Sequence, residues 1–221
     1  MTESTERSGS THSGTSLGHI PRFSPTQQRE LLALATGAIE HTLHTGRRVA
    51  PVDADLEPWL RKPAASFVTL RRGHRLLGCM GTLEPYQGLA ADVVEHALNA
   101  AFDDPRMPPV DAEDFERMTV EISVLGPLNP LHVSGRAELV AVLRPHVDGL
   151  LVRADSHRAT FLPAVWDSVE SASDFVALLW RKAGLAPDRW PSSTQLWTYG
   201  VCSFEAHARR EGAAQGTSVT A

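Results

Sequence analysis

Apolar residues recur along the chain in two periods, and the changes between them mark out the elements. Leu31, Leu32, Ala35, Ala38, Ile39, Thr42 and Leu43 fall at helical spacing. Before them, Ser24-Pro25-Thr26-Gln27 combines an N-cap serine, a proline at the first helical position and a glutamine at the third. Gly46 follows as the C-cap, and His41 and His44 suit the negative end of the helix dipole. After a short Leu56-Trp59-Leu60 segment, residues 64–70 read as a strand, Arg72-Gly73-His74 as a turn and residues 75–83 as the returning strand. A helix over 88–102 turns Leu89, Val93, Ala97, Ala100 and Ala101 inward, with His96 among the alanines, beside the core or facing the hairpin. Residues 118–125 alternate Met118, Val120, Ile122 and Val124 against Thr119, Glu121 and Ser123, which predicts a half-buried strand ended by Gly126-Pro127. Glu121 falls on its polar face, in a solvated or cross-strand position.

The second half repeats the plan. Residues 149–154 and 158–162 form a hairpin around Asp155-Ser156-His157. A helix over 171–183 points Phe175, Leu178, Leu179 and the stem of Lys182 at the core, and Gly184 stops it. Residues 196–204 then read as one closing strand. Antiparallel hairpins each followed by a helix predict an α+β fold.

Composition narrows the function. With 221 residues, 42% of them hydrophobic, the chain suffices for a sizeable core in one domain or two closely packed lobes. A net charge of -5 without any Lys/Arg run argues against nucleic acid as a partner. No apolar run is long enough to span a bilayer, so no membrane contact is expected, and no secretory leader is visible. Residues 1–22 and the tail from 207 are rich in small and polar residues and are expected to be disordered, which removes His12 and His19 from consideration. The folded part is expected to run over 23–206. The only cysteines, Cys79 and Cys202, lie far apart and lack finger-like spacing, which favours a reduced, cytoplasmic protein with no metal. Dinucleotide and phosphate glycine loops, the serine elbow, the paired-histidine zinc helix and iron–sulfur spacings are all missing, so no cofactor is expected.

What remains is Leu76-Leu77-Gly78-Cys79-Met80-Gly81-Thr82-Leu83, with a cysteine flanked by glycines at the end of a hairpin. Missing Cβ atoms at Gly78 and Gly81 let a ligand or another strand come close to the thiol. That suits a reactive cysteine, and it suits equally a tightly packed crossing where the sulfur is a small buried hydrophobe. Asp103-Asp104-Pro105-Arg106-Met107-Pro108-Pro109 is a loop stiffened by proline. Within it Arg106 either clamps an anion or pairs with Asp104 or a carbonyl.

Together these segments resemble the AMMECR-one domain, closest to the bacterial form called AmmeMemoRadiSam system protein A. The resemblance rests on the Gly78-Cys79-Met80-Gly81 stretch (family pattern Leu-Arg-Gly-Cys-Ile-Gly) and on Asn99-Ala100-Ala101-Phe102-Asp103-Asp104-Pro105-Arg106. Val120-Glu121-Ile122-Ser123-Val124-Leu125, Val147-Asp148-Gly149-Leu150, Ala159 to Trp166 and Lys182-Ala183-Gly184-Leu185 continue it in order over about 31–206. It implies an antiparallel β-sheet with flanking helices, in two unequal lobes packed as one unit, with the cysteine near a cleft. It also implies a Memo-like protein and a radical SAM protein as partners. Two positions depart from the pattern: Leu77 stands where the family has arginine, and Met107 where an aromatic is usual. Arg75, two positions before Leu77 on the same strand face, is a candidate substitute.

The resemblance supplies no reaction, and two readings of the site stand. In one, Cys79 is the nucleophile of an enzyme and His74 or His96 takes its proton. Gly78, Gly81, Asp104, Arg75 and Arg106 then line the side that meets a small organic or peptide substrate, with Arg106 on an anionic group. In the other, the cleft around Cys79 is a non-catalytic module that docks a partner. Cys202 is expected in the core of the last strand.

Overall fold

A computed structural model of the chain describes residues 20–50, 56–186 and 189–209. The first helix forms as its caps dictate. Helix α1 spans Pro25–Thr45. The Gln27 N–H donates to Ser24 Oγ at 3.3 Å and the Ser24 N–H to Gln27 Oε1 at 2.9 Å, while Gly46 takes a left-handed φ of 69°. Strands β1 (Ser66–Arg72) and β2 (Arg75–Gly81) make the first hairpin, followed by α2 (Leu89–Phe102) and a short α3 (Ala112–Arg117). Strand β3 (Thr119–Leu125) leads to β4 (Asn129–Leu131), α4 (Arg136–Val142), β5 (Gly149–Ala154) and β6 (His157–Phe161). A 3-10 turn at Pro163–Ser168, helix α5 (Ala172–Lys182), β7 (Gln195–Tyr199) and β8 (Val201–His207) complete the order.

The strands divide into two antiparallel four-stranded sheets, ordered β2-β1-β3-β8 and β4-β7-β5-β6. Helices α1 and α2 cover one face of the first sheet through Leu31, Ile39, Val68, Leu70, Val93, Ala97, Val120 and Ile122. Helices α4 and α5 cover the second through Leu139, Leu150, Val152, Phe175, Leu179 and Trp180. A third cluster of Ala65, Leu125, Leu151 and Tyr199, with Phe67, Leu162 and Val201 against it, joins the lobes. The α+β class with flanking helices is as expected, with one sheet per lobe. The smaller lobe, β4 to β7, is inserted between β3 and β8 of the larger one.

Three expectations are corrected. The closing strand is two strands: the chain leaves the second sheet at Tyr199 and enters the first at Val201, and Gly200 between them belongs to neither. The folded part also extends past both proposed limits. Ile20 packs on Gly200. At the other end β8 runs to His207, and the buried Ala208 donates its N–H to the Met118 carbonyl at 3.1 Å. Residues 1–19 and 210–221, where disorder was expected, lie outside the described residues, and His12 and His19 with them. Cys202 packs against the core of the first lobe, as expected.

Candidate functional site: a thiol between two lobes

Two close approaches fix where Cys79 sits. A Cβ on Gly78 would lie 2.8 Å from the Ala100 carbonyl carbon and closer still to its oxygen, so β2 and α2 meet backbone to backbone there. A Cβ on Gly81 would lie 2.5 Å from the Ser66 carbonyl oxygen and overlap the Phe67 ring. Both glycines are thus required by packing against the protein itself. Cys79 points away from α2, to the face it shares with Gly81. Its cross-strand partner Thr69 lies between Val68 and Leu70, both wholly buried on the helix side, so Thr69 and Cys79 face the open side of the sheet. There the Thr69 hydroxyl donates to the Cys79 sulfur at 3.3 Å, and the thiol is half-buried.

Strand β2 is an edge of its sheet, and its outward groups at Cys79 find partners on the loop after α2. The Cys79 N–H donates to Asp104 Oδ2 at 2.9 Å, and Arg106 Nη2 donates to the Cys79 carbonyl at 3.0 Å. Arg106 also grips Asp104, through Nε to Oδ1 at 2.9 Å and Nη2 to Oδ2 at 2.6 Å. Together the two side chains imitate a neighbouring strand. The Arg106 guanidinium, with the N–H groups of Cys79 and Arg106 itself, holds the Asp104 carboxyl far below the usual carboxylate range. Of the alternatives left open by the sequence, Arg106 realises the pair with Asp104 and the carbonyl contact at once.

The remaining predicted residues are not brought to the thiol. His74 is exposed in the hairpin turn at the start of β2. His96 is buried on the helix side of the sheet, with Nε2 3.3 Å from Asp92 Oδ1, and Asp92 accepts from Ser66 Oγ at 2.6 Å. Neither is placed to take a proton from Cys79. Arg75 pairs with Asp114, as does Arg72, so α3 holds it at the far end of β2. A bulge puts Leu77 out of register and into the core, 5% exposed, so Arg75 does not stand in for the family arginine.

The sequence missed Lys182. It ends α5, and His157 fixes that end by donating its Nδ1–H to the Ala183 carbonyl at 2.7 Å. The Lys182 ammonium donates to the Thr160 carbonyl at 2.9 Å and lies 5.1 Å from the centre of the Phe161 ring. Although much of its side chain is in solvent, its ammonium end is desolvated, which lowers its pKa. The Cys79 sulfur opposes that shift and the Arg106 charge adds to it. Arg158 of β6 pairs with Glu84 beyond β2 at 2.8 Å, so the lobes are tied beside this spot. The open sheet face is therefore a floor and the edge of the second lobe a wall. Across the floor, register aligns Cys79, Thr69, Glu121 and Glu205 in one row. Burial raises the pKa of Glu121, with Glu205 adding and Arg71 and Ser123 opposing. Sequence reading placed Glu121 on this face correctly.

Among the described residues no three or more His, Cys, Asp or Glu are grouped to hold a metal ion, and no helix is long and apolar enough to cross a membrane. A family model described as AMMECR1 matches residues 32–204. A protein of Methanothermobacter thermautotrophicus is 38% identical over 171 residues, covering 75% of this chain and 86% of its own length. One from Pyrococcus furiosus is 36% identical over 190 residues, with 79% and 86% covered. The crystal structure of an uncharacterized Pyrococcus horikoshii protein superposes with a TM-score of 0.74 at 32% identity, covering 82% of this chain and 93% of that one.

Proposed function

The chain belongs to the AMMECR1 family, and from that premise we propose that it is a cysteine-dependent enzyme acting on a small organic or peptide substrate in the cleft at Cys79. One observation carries this reading. A half-buried thiol lies on an open sheet face with the Thr69 hydroxyl on its sulfur, and the cationic end of α5 belongs to the facing lobe. A thiol becomes a useful nucleophile as the thiolate, and nearby cations favour that form. In this reading Lys182 supplies positive charge to the cleft, Thr69 steadies the sulfur with its hydroxyl, and the proton leaves to solvent rather than to His74 or His96. Arg106 holds the strand edge rather than the substrate.

Alkylation tests it. Iodoacetamide labelling of Cys79 in the full folded chain, followed by peptide-resolved mass spectrometry, is expected to slow about fivefold in Lys182→Met. That corresponds to removing roughly 1 kcal/mol of charge interaction. Lys182→Arg should restore most of the rate. Equal rates in all three proteins would overturn the role of Lys182 and leave the reading without its support.

A docking module is favoured by a different observation. An apolar groove of about 840 Å³, lined by Phe23, Trp59, Leu83, Leu89, Val124 and Leu128 among others, lies away from Cys79. In this second reading the groove seats a partner, and the resemblance to AmmeMemoRadiSam system protein A makes a Memo-like or radical SAM protein the first to try. The motif order quoted from the sequence supports that finer placement. The open position of Cys79 favours the enzyme.

A further inference from the structure

The groove of about 840 Å³ is lined by buried residues of two cores at once. Leu89 and Val124 belong to the cluster under α1 and α2, and Ala65 and Leu125 to the cluster that joins the lobes. Above them Phe23, Trp59, Leu83 and Leu128 are only half-buried, although all four are large and apolar. Phe23 and Trp59 brace one another, with ring centres 6.0 Å apart. A concavity of this volume, mostly apolar and built on packed elements, has the character of a site for a small organic molecule.

The polar side chains of the groove decide which kind. Gln27 is spent on the Ser24 N–H in the cap of α1, and Glu84 is paired with Arg158 at 2.8 Å. Arg22 and Lys62 line the same groove, are exposed, and have no side-chain partner among the described residues. The groove therefore combines an apolar interior with two uncompensated cations, in a chain whose net charge is -5.

We propose that this groove binds a small organic acid, its hydrocarbon or aromatic body on Trp59, Leu83 and Leu128 and its anionic group on Arg22 and Lys62. Burial of the apolar body supplies affinity, and charge-assisted contacts select for the acid. Cys79 does not line the groove, so the site stands whether or not the thiol reacts.

Anilinonaphthalene sulfonate and phenylnaphthylamine share one ring system and differ in the anionic group, and both fluoresce on leaving water. Titration of the full chain is expected to show one dye bound per chain, displaced by decanoate. In the double variant Arg22→Gln/Lys62→Gln the ratio of anionic to neutral dye affinity should fall about tenfold. Both residues are exposed and unpartnered, so the fold should tolerate the change. Leu128→Asn, in the short link between β3 and β4, should weaken both dyes alike. An unchanged ratio in the double variant overturns the preference for an acid. Binding of neither dye, binding that decanoate does not displace, or binding indifferent to Leu128→Asn overturns the site.

Discussion

Gly78→Ala is expected to unfold the protein or to lower its stability by at least about 3 kcal/mol, as for the harshest overpacking. The new methyl group would overlap the carbonyl carbon and oxygen of Ala100, which are backbone atoms of a helix that is itself buried. No side-chain rotation relieves that contact. Either β2 or α2 must move, and α2 leads straight into the loop that sets Asp104 against the Cys79 N–H. The damage would therefore extend from packing to the strand edge. Gly37→Ala is the opposite case. A Cβ there meets nothing within 4 Å, and the residue is exposed inside α1. It should stabilise the chain by roughly 0.5–1 kcal/mol. Urea unfolding of both variants checks the pair of signs.

Arg106→Ala should cost about 2–3 kcal/mol. Its partner Asp104 has a side chain only 2% exposed, so the substitution strands a carboxylate that keeps just two backbone donors. Arg106 itself is 58% exposed and, left alone by Asp104→Asn, returns to water. The double variant is accordingly expected to cost less than the sum of the single ones. The pH dependence has a definite sign. Asp104 titrates below its unfolded value, so the stability it contributes is complete above the ordinary carboxylate range and is lost as pH falls through its depressed value. The difference between wild type and Arg106→Ala should be full near neutrality and should shrink progressively as pH falls below the ordinary carboxylate range. Urea unfolding at a series of pH values measures it.

Local signals were legible. Ser24, Pro25, Gln27 and Gly46 gave α1 its ends because caps act on neighbouring backbone. Two hairpins and α2 followed from alternation and periodicity. Helices α3 and α4, of six and seven residues, are too short to show a period. The break at Gly200 was hidden because alternation continues through it while the chain changes sheets. The site shows the same division. Gly78, Cys79 and Gly81 announced a close approach, although the glycines serve packing within the chain. His74 and His96 had the right chemistry and the wrong faces, which only the α2 packing and the length of β2 decide. The stem of Lys182 was read toward the core. Where its ammonium goes depends on the β6 edge and on how the lobes meet, and no sequence spacing encodes that. Its place in Lys182-Ala183-Gly184-Leu185, one of the segments that carry the resemblance, was the one hint.

The central claim is that Cys79 is a working thiol in the native cleft. The most direct measurement is its iodoacetamide labelling rate in the native chain against the same chain in urea, at neutral pH. A native rate equal to or above the unfolded one is the expected result, since the thiol lies on the open face of the sheet with the Thr69 hydroxyl on its sulfur. A native rate below about one hundredth of the unfolded one would mean that Cys79 reacts only when the fold opens. That would contradict the account and leave the sulfur as packing.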